Sequence, residues 1–115
     1  MSLESLLSND VVQVEKPAHL KDRSGGAINE PWQPVFSNVP ARVEDMSARQ
    51  MELWAMKGTE VSTTVYTQQT GIGKPMRLTT SDGRHLRVEG VKFNRAIGGM
   101  PDFYEVVCQE IRPGA

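Results

Sequence analysis

The sequence predicts a mainly β fold: a small β-barrel, a meander with one packed α-helix and long loops. Three observations predict it. Four extended runs fill the C-terminal half, Glu60–Gln68 (EVSTTVYTQ), Met76–Ser81 (MRLTTS), His85–Arg95 (HLRVEGVKFNR) and Asp102–Ile111 (DFYEVVCQEI). Val, Thr, Tyr and Phe dominate them, residue types that fit a pleated, half-buried surface. Asp82 and Gly83 separate the second run from the third, and Asp-Gly between strand-like runs is a strong hairpin signal because glycine tolerates the positive φ of a tight turn. A single short helix with a complete start signal precedes the four runs. The 115 residues suit one domain, large enough to build a core without metals or disulfides.

The barrel is expected over residues 39–115, preceded by an arm, a short strand and a long loop over residues 1–38. In residues 1–10, Leu3, Leu6 and Leu7 have helical spacing, which fits a brief amphipathic turn. Val11–Glu15 reads as a short strand stopped by Pro17. Lys16–Pro40 (KPAHLKDRSGGAINEPWQPVFSNVP) is rich in Pro, Gly, Asn and Ser, yet carries Ile28, Trp32, Val35 and Phe36. A structureless loop of this length is unusual unless functional. It either orders on meeting a partner or uses Trp32 and Phe36 to cap the open end of the barrel.

Val39–Glu44 is expected as a strand with Pro40 near its start, where a missing donor costs little. The helix follows at about residues 47–57. Ser47 and Gln50 have capping-box spacing, Met46 and Met51 occupy staple positions, Lys57 suits the C-terminal dipole and Gly58 the C-cap. Met51, Trp54 and Ala55 form its apolar stripe, and Trp54 is expected to plug the barrel. In the third run, Gly90 separates Leu86 and Val88 from Val91 and Phe93. A bulge there returns Val91 and Phe93 to the inner face. Tyr104, Val106 and Cys108 share one face of the last run, which makes Cys108 a buried small hydrophobe. Two Gly- and Pro-bearing loops remain, Gln69–Pro75 (QTGIGKP) and Ala96–Pro101 (AIGGMP). An apolar tip on each, Ile72 or Met100, suggests an interface.

Composition narrows the function. One cysteine rules out an internal disulfide and a Cys-based zinc site. A net charge of −1 argues against a dedicated nucleic-acid binder. No apolar run approaches the roughly 20 residues of a membrane span, and the acidic N-terminus does not read as a signal peptide. A cytoplasmically made protein with no membrane association is therefore expected. Charge is uneven: Arg77, Arg84, Arg87, Lys92 and Arg95 face only Asp82 and Glu89 within their stretch. These bases either form a solvated strand face or face DNA or an acidic protein ring.

Catalytic patterns are missing. Gly71–Lys74 fails the spacing of a phosphate loop, and Pro75 stands where a magnesium-holding hydroxyl belongs. His19 and His85 are far apart and have no Cys or acidic cluster at ligand spacing. Neither histidine has a positioned nucleophile. Glu44 and Asp45 read as helix-dipole partners. No enzyme activity, metal or cofactor is expected.

The motifs, taken in order, are Ala41–Glu44 (ARVE), Ser47–Gln50 (SARQ), a strand ending at Tyr66, Met76–Leu78 (MRL), Asp82–Arg84 (DGR), Leu86–Val91 (LRVEGV) and Tyr104–Glu110 (YEVVCQE). Together they resemble the head–tail joining proteins of long-tailed bacteriophages, the head-closure or stopper family. The resemblance spans Val39–Ile111. It implies a structural virion protein at the head–tail interface, a dodecameric ring beneath the portal and adaptor that closes the DNA-filled head and docks the tail. The implied partners are other copies of the chain, the portal or adaptor, a tail-terminator or tail-tube protein, and packaged DNA. A family loop that enters the channel maps either to Gln69, Thr70, Gly71, Ile72, Gly73, Lys74 and Pro75, the preferred candidate, or to Lys16–Pro40, which otherwise meets the adaptor or a neighbouring subunit; partner contacts map to Trp32, Val35, Phe36, Ile97 and Met100. The proline-rich part through Asn38 is longer than the family pattern, so an adaptor-like or tail-terminator ring is the neighbouring reading. A second class, an oligonucleotide-binding small barrel, would use the five basic residues and stacking aromatics. Tyr66, Phe93 and Tyr104 read instead as core.

Overall fold

The computed structural model describes residues 8–17, 32–95 and 102–111. Strands β1 (Asp10–Pro17) and β2 (Trp32–Asp45) precede helix α1 (Ala48–Met56); β3 (Thr63–Thr67), β4 (Arg77–Thr79), β5 (His85–Asn94) and β6 (Phe103–Ile111) follow. The strands close into a barrel in the order β1-β2-β3-β6-β5-β4. The expected small barrel is present, but it is not one continuous meander. Two antiparallel meanders, β1-β2-β3 and β4-β5-β6, meet at the β3–β6 and β1–β4 seams.

The barrel also begins earlier than residue 39. β1 pairs with both β2 and β4, and Trp32–Asn38, expected as loop, is the first part of β2. Pro34 and Pro40 are tolerated because β2 pairs only with β1 along this part; its pairing with β3 begins at Arg42. A proline at a singly paired edge forfeits no ladder bond. β2 bends through two register shifts against β1. At one of them Asn38 takes φ 55°, a left-handed conformation that Asn accepts better than most residues. The Gln13 side chain holds it there, accepting from the Asn38 amide at 3.1 Å and donating to its Oδ1 at 3.1 Å.

β5 carries the bulge predicted beside Gly90, where the register with β6 shifts between Val88 and Gly90. Beyond it Val91 pairs with Val106 and Phe93 with Tyr104, so both apolar side chains return to the inner face. The β4–β5 turn spans Ser81–Gly83. The Gly83 amide donates to the Thr80 carbonyl at 3.0 Å, Gly83 sits at φ 90°, and the Thr80 hydroxyl bonds Asp82.

The core is aliphatic. Val12, Val14, Val65, Leu78, Leu86, Val106 and Cys108 are fully buried, joined by Val39, Ala41 and Val88. Burial pushes the Cys108 thiol up to about 12, which leaves it a packing group rather than a nucleophile.

Helix α1 has the capping box read from the sequence: Gln50 N–H donates to Ser47 Oγ at 3.2 Å, and Ser47 N–H to Gln50 Oε1 at 3.2 Å. Its C-terminus closes with the Gly58 amide on the Ala55 carbonyl and the Thr59 amide on the Trp54 carbonyl, 2.9 and 3.1 Å, a Schellman pair. The helix does not plug the barrel. None of its residues is buried, and Trp54 is half-exposed beneath the Lys57 ammonium, 5.2 Å from the ring centroid.

Candidate functional site

The strand directions sort the barrel into two ends. Asp45, α1, Thr63, the Ser81–Gly83 turn and Ile111 mark one, the helix end. Trp32, Thr67, Arg77, Asn94 and Phe103 mark the other, the loop end.

At the loop end, β3 and β4 stand on opposite sides of the barrel, so Gln68–Met76 must cross its mouth. Ile72 is therefore not an exposed tip. It is 9% exposed and belongs to the core cluster. Val35, Phe36, Met76 and Tyr104 pack around that cluster. Lys74 is tied to Glu89 at 3.2 Å. Phe36 packs half-buried against the core cluster, the contact expected of a barrel cap. Gly71 lies under its ring: at φ 84°, a Cβ added there would meet Phe36 Cζ at 3.2 Å. Gly71→Ala is expected to cost about 1–2 kcal/mol through the left-handed backbone alone, and thermal unfolding measures it. An unchanged melting temperature would contradict the packed lid.

Trp32 caps nothing. It lies outside the barrel with the Arg77 guanidinium 4.3 Å from its ring centroid. Arg77 Nε donates to Glu15 at 3.0 Å, and the Thr79 hydroxyl donates to the same carboxylate oxygen at 2.7 Å. With its proton committed to Glu15, Thr79 Oγ1 accepts from His85 Nδ1 at 3.0 Å. Burial by itself would raise the Glu15 pKa, but the bonds from Thr79 and Arg77 and the Arg77 charge outweigh it and hold the carboxyl below its ordinary 4.5. Glu89 follows the same pattern, burial opposed and outweighed by Arg87 and Lys74. Carboxyls depressed in the fold stabilise it above their unfolded pKa, and that contribution is lost as pH falls through the folded value. The melting temperature is expected to drop on acidification below about pH 4.5, less steeply in the Glu15→Gln, Glu89→Gln double variant. Parallel curves for variant and parent would contradict this assignment.

The five basic residues are not gathered into one face. Arg77 is held by Glu15 and Arg87 by Glu89 at 2.7 Å, while Arg84 sits at the other end between Asp45 and Glu110, both at 2.7 Å. Lys92 and Arg95 are exposed and make no ion pair among the described residues. Ile97 and Met100 lie outside the described residues.

Apolar side chains stay open to solvent at both ends. At the helix end Leu53 and Met56 are 48% and 78% exposed. At the loop end Val91 and Phe93 are 39% and 48% exposed although they share the inner face, because β4 ends opposite Arg87 and leaves this part of β5 paired with β6 alone. Phe93 rests against Tyr104, ring centroids 5.2 Å apart. Leu53 and Met56 were legible as residues outside the Met51–Trp54–Ala55 stripe. The Glu15–Thr79–His85 chain left no local signal, since it joins strands distant in sequence.

No protein-family model and no curated protein matches the sequence. Among solved structures, the solution structure of protein SF1141 from Shigella flexneri 2a matches with a TM-score of 0.72 at 17% identity, over 90% of this chain and 93% of that one. The likeness shows a shared fold.

Proposed function

We propose that this chain is a structural virion protein of a tailed-phage connector, forming a ring under the portal or adaptor that closes the filled head and docks the tail. One observation carries the reading: a small barrel with an aliphatic-filled interior leaves unlike apolar patches open at its two ends, Leu53 and Met56 at one, Val91 and Phe93 at the other. A heterologous ring needs two different faces on every subunit. The order of capped helix, Asp-Gly turn and bulged strand supports the same reading through the family resemblance. Gln69–Pro75 then acts as the lid of its own barrel rather than as a channel arm, since Ile72 is engaged in the core.

The test incubates the purified chain with DNA-filled, tail-less heads carrying portal and adaptor, sediments the heads, and assays bound protein and retained DNA. Co-sedimentation with reduced DNA leakage is expected. Capture by isolated tails instead would place the chain in a tail-terminator ring. Binding to neither, with salt-sensitive binding to single-stranded DNA, would replace the proposal with the nucleic-acid reading.

A further inference from the structure

We infer that Asp82–Gly83 is a site of isoaspartate formation that the fold holds shut, and that Thr80 is the residue that shuts it. The inference does not depend on the connector reading.

Asp-Gly is especially open to this modification, because glycine puts no side chain in the way of its own amide. The Gly83 nitrogen attacks Asp82 Cγ, a C–N bond forms, and the amide proton leaves with the carboxyl hydroxyl as water. Water then adds back to the five-membered imide. Opening at the Asp82 main-chain carbonyl leaves Gly83 bonded through Cγ. The net change is an isomerisation that needs no other reagent. Ser81, Asp82 and Gly83 are all exposed, so burial gives the turn no protection.

The reaction makes three demands, and Thr80 opposes each. The carboxyl carbon must swing onto the Gly83 nitrogen, but the Thr80 hydroxyl bonds Asp82 Oδ1. The Gly83 N–H must be released, but it donates to the Thr80 carbonyl at 3.0 Å. The carboxyl must be protonated for water to depart. The Thr80 bond first, and the Arg84 charge after it, hold that carboxyl below its ordinary 3.8. Thr80 is itself firmly placed, 4% exposed beneath the turn. Its N–H donates to the Arg84 carbonyl at 2.9 Å, and its Oγ accepts from the Arg84 N–H at 3.0 Å. Arg84 in turn reaches Asp45 and Glu110, both at 2.7 Å, which anchors the far side of the turn to β2 and β6. Conversion of Asp82 would lengthen the main chain by one carbon, close to the Thr79–His85 pair. β4, with three residues, has little pairing with which to absorb the change.

The test ages the folded chain and the free peptide Leu78–Arg84 side by side at neutral pH. Isoaspartate at residue 82 is quantified by chromatography and mass spectrometry after digestion. It is expected to accumulate at least about tenfold more slowly in the folded chain, since reaction there waits on local opening. Thr80→Val keeps the buried shape and the carbonyl but lacks the hydroxyl, and is expected to speed the reaction about tenfold over the parent. Thr80→Ser, which keeps the hydroxyl, is expected to age as the parent does. Val65→Ala weakens the core in the other meander and controls for general loosening; it too is expected to age as the parent does. Thermal melts establish that each variant is folded. Equal rates in the folded chain and the peptide would overturn the inference with no variant needed. Thr80→Val ageing as slowly as the parent, or Val65→Ala ageing as fast as Thr80→Val, would overturn the assignment to Thr80.

Discussion

Leu78→Ala is expected to remove about 3–4 kcal/mol of stability, the range for truncating a fully buried leucine that leaves a cavity. β4 has only three residues, Arg77–Thr79, and Leu78 is the one whose side chain is wholly buried among them. It sits opposite Val14 on β1 and Leu86 on β5, so the lost methyl groups come from the strand that closes the barrel on both sides. The polar contacts of the same strand offset little of this. The Arg77–Glu15 pair is partly solvated, with side chains 19% and 21% exposed, and a pair in such a setting contributes far less than a buried leucine. Thermal or urea unfolding of the variant measures the loss. A change under about 1 kcal/mol would show that β4 is dispensable to closure.

Ile72→Asp is expected to be nearly as damaging, at about 3 kcal/mol or more, because it asks a carboxylate to occupy an aliphatic cluster. The loop should then leave the barrel mouth, exposing Phe36 and breaking the bond from the Met76 amide to the Gly73 carbonyl, 2.9 Å in the native fold. Faster hydrogen exchange at the Met76 amide would report that opening separately from global unfolding. The outcome discriminates sharply. Asp at a solvent-facing loop tip, the position read from the sequence, would be nearly neutral, and a neutral result would restore the loop as a free arm.

These two residues also mark where local sequence stops being informative. The helix was legible because Ser47, Gln50 and Gly58 act over one turn, within reach of a sequence pattern. The β5–β6 hairpin was legible for the same reason: alternation, an Asp-Gly turn before it and one glycine at the parity switch specify register locally. β2 was half missed because Pro34 argues against a strand in general, and its tolerance depends on which neighbour is absent. That is a property of the closed barrel, not of the segment. Ile72 misled similarly, since a lone isoleucine among glycines looks exposed until the crossing from β3 to β4 carries it over the mouth. Of the candidate contact residues, Phe36 is half-buried against the core cluster, whereas Leu53 and Met56 were left outward by an apolar stripe that faces the other way. The basic residues formed a run in sequence only. Acidic partners from β1, β2, β5 and β6, most of them remote in the chain, neutralise three of them.

The β1–β4 seam has a consequence for how the chain reaches this fold. Gln13–Glu15 must find Arg77–Thr79 across more than half the sequence, whereas the pairs within each meander are closer neighbours. Contacts of such separation carry the larger loop-closure entropy and tend to form late. Before that last step the molecule is a curled sheet with β1 at one border and β4 at the other, each offering unpaired backbone groups. A second chain caught at the same stage presents the same two borders in the same register. Closing on oneself and closing on a neighbour then make identical bonds, and dilution during refolding favours the first over an exchanged dimer.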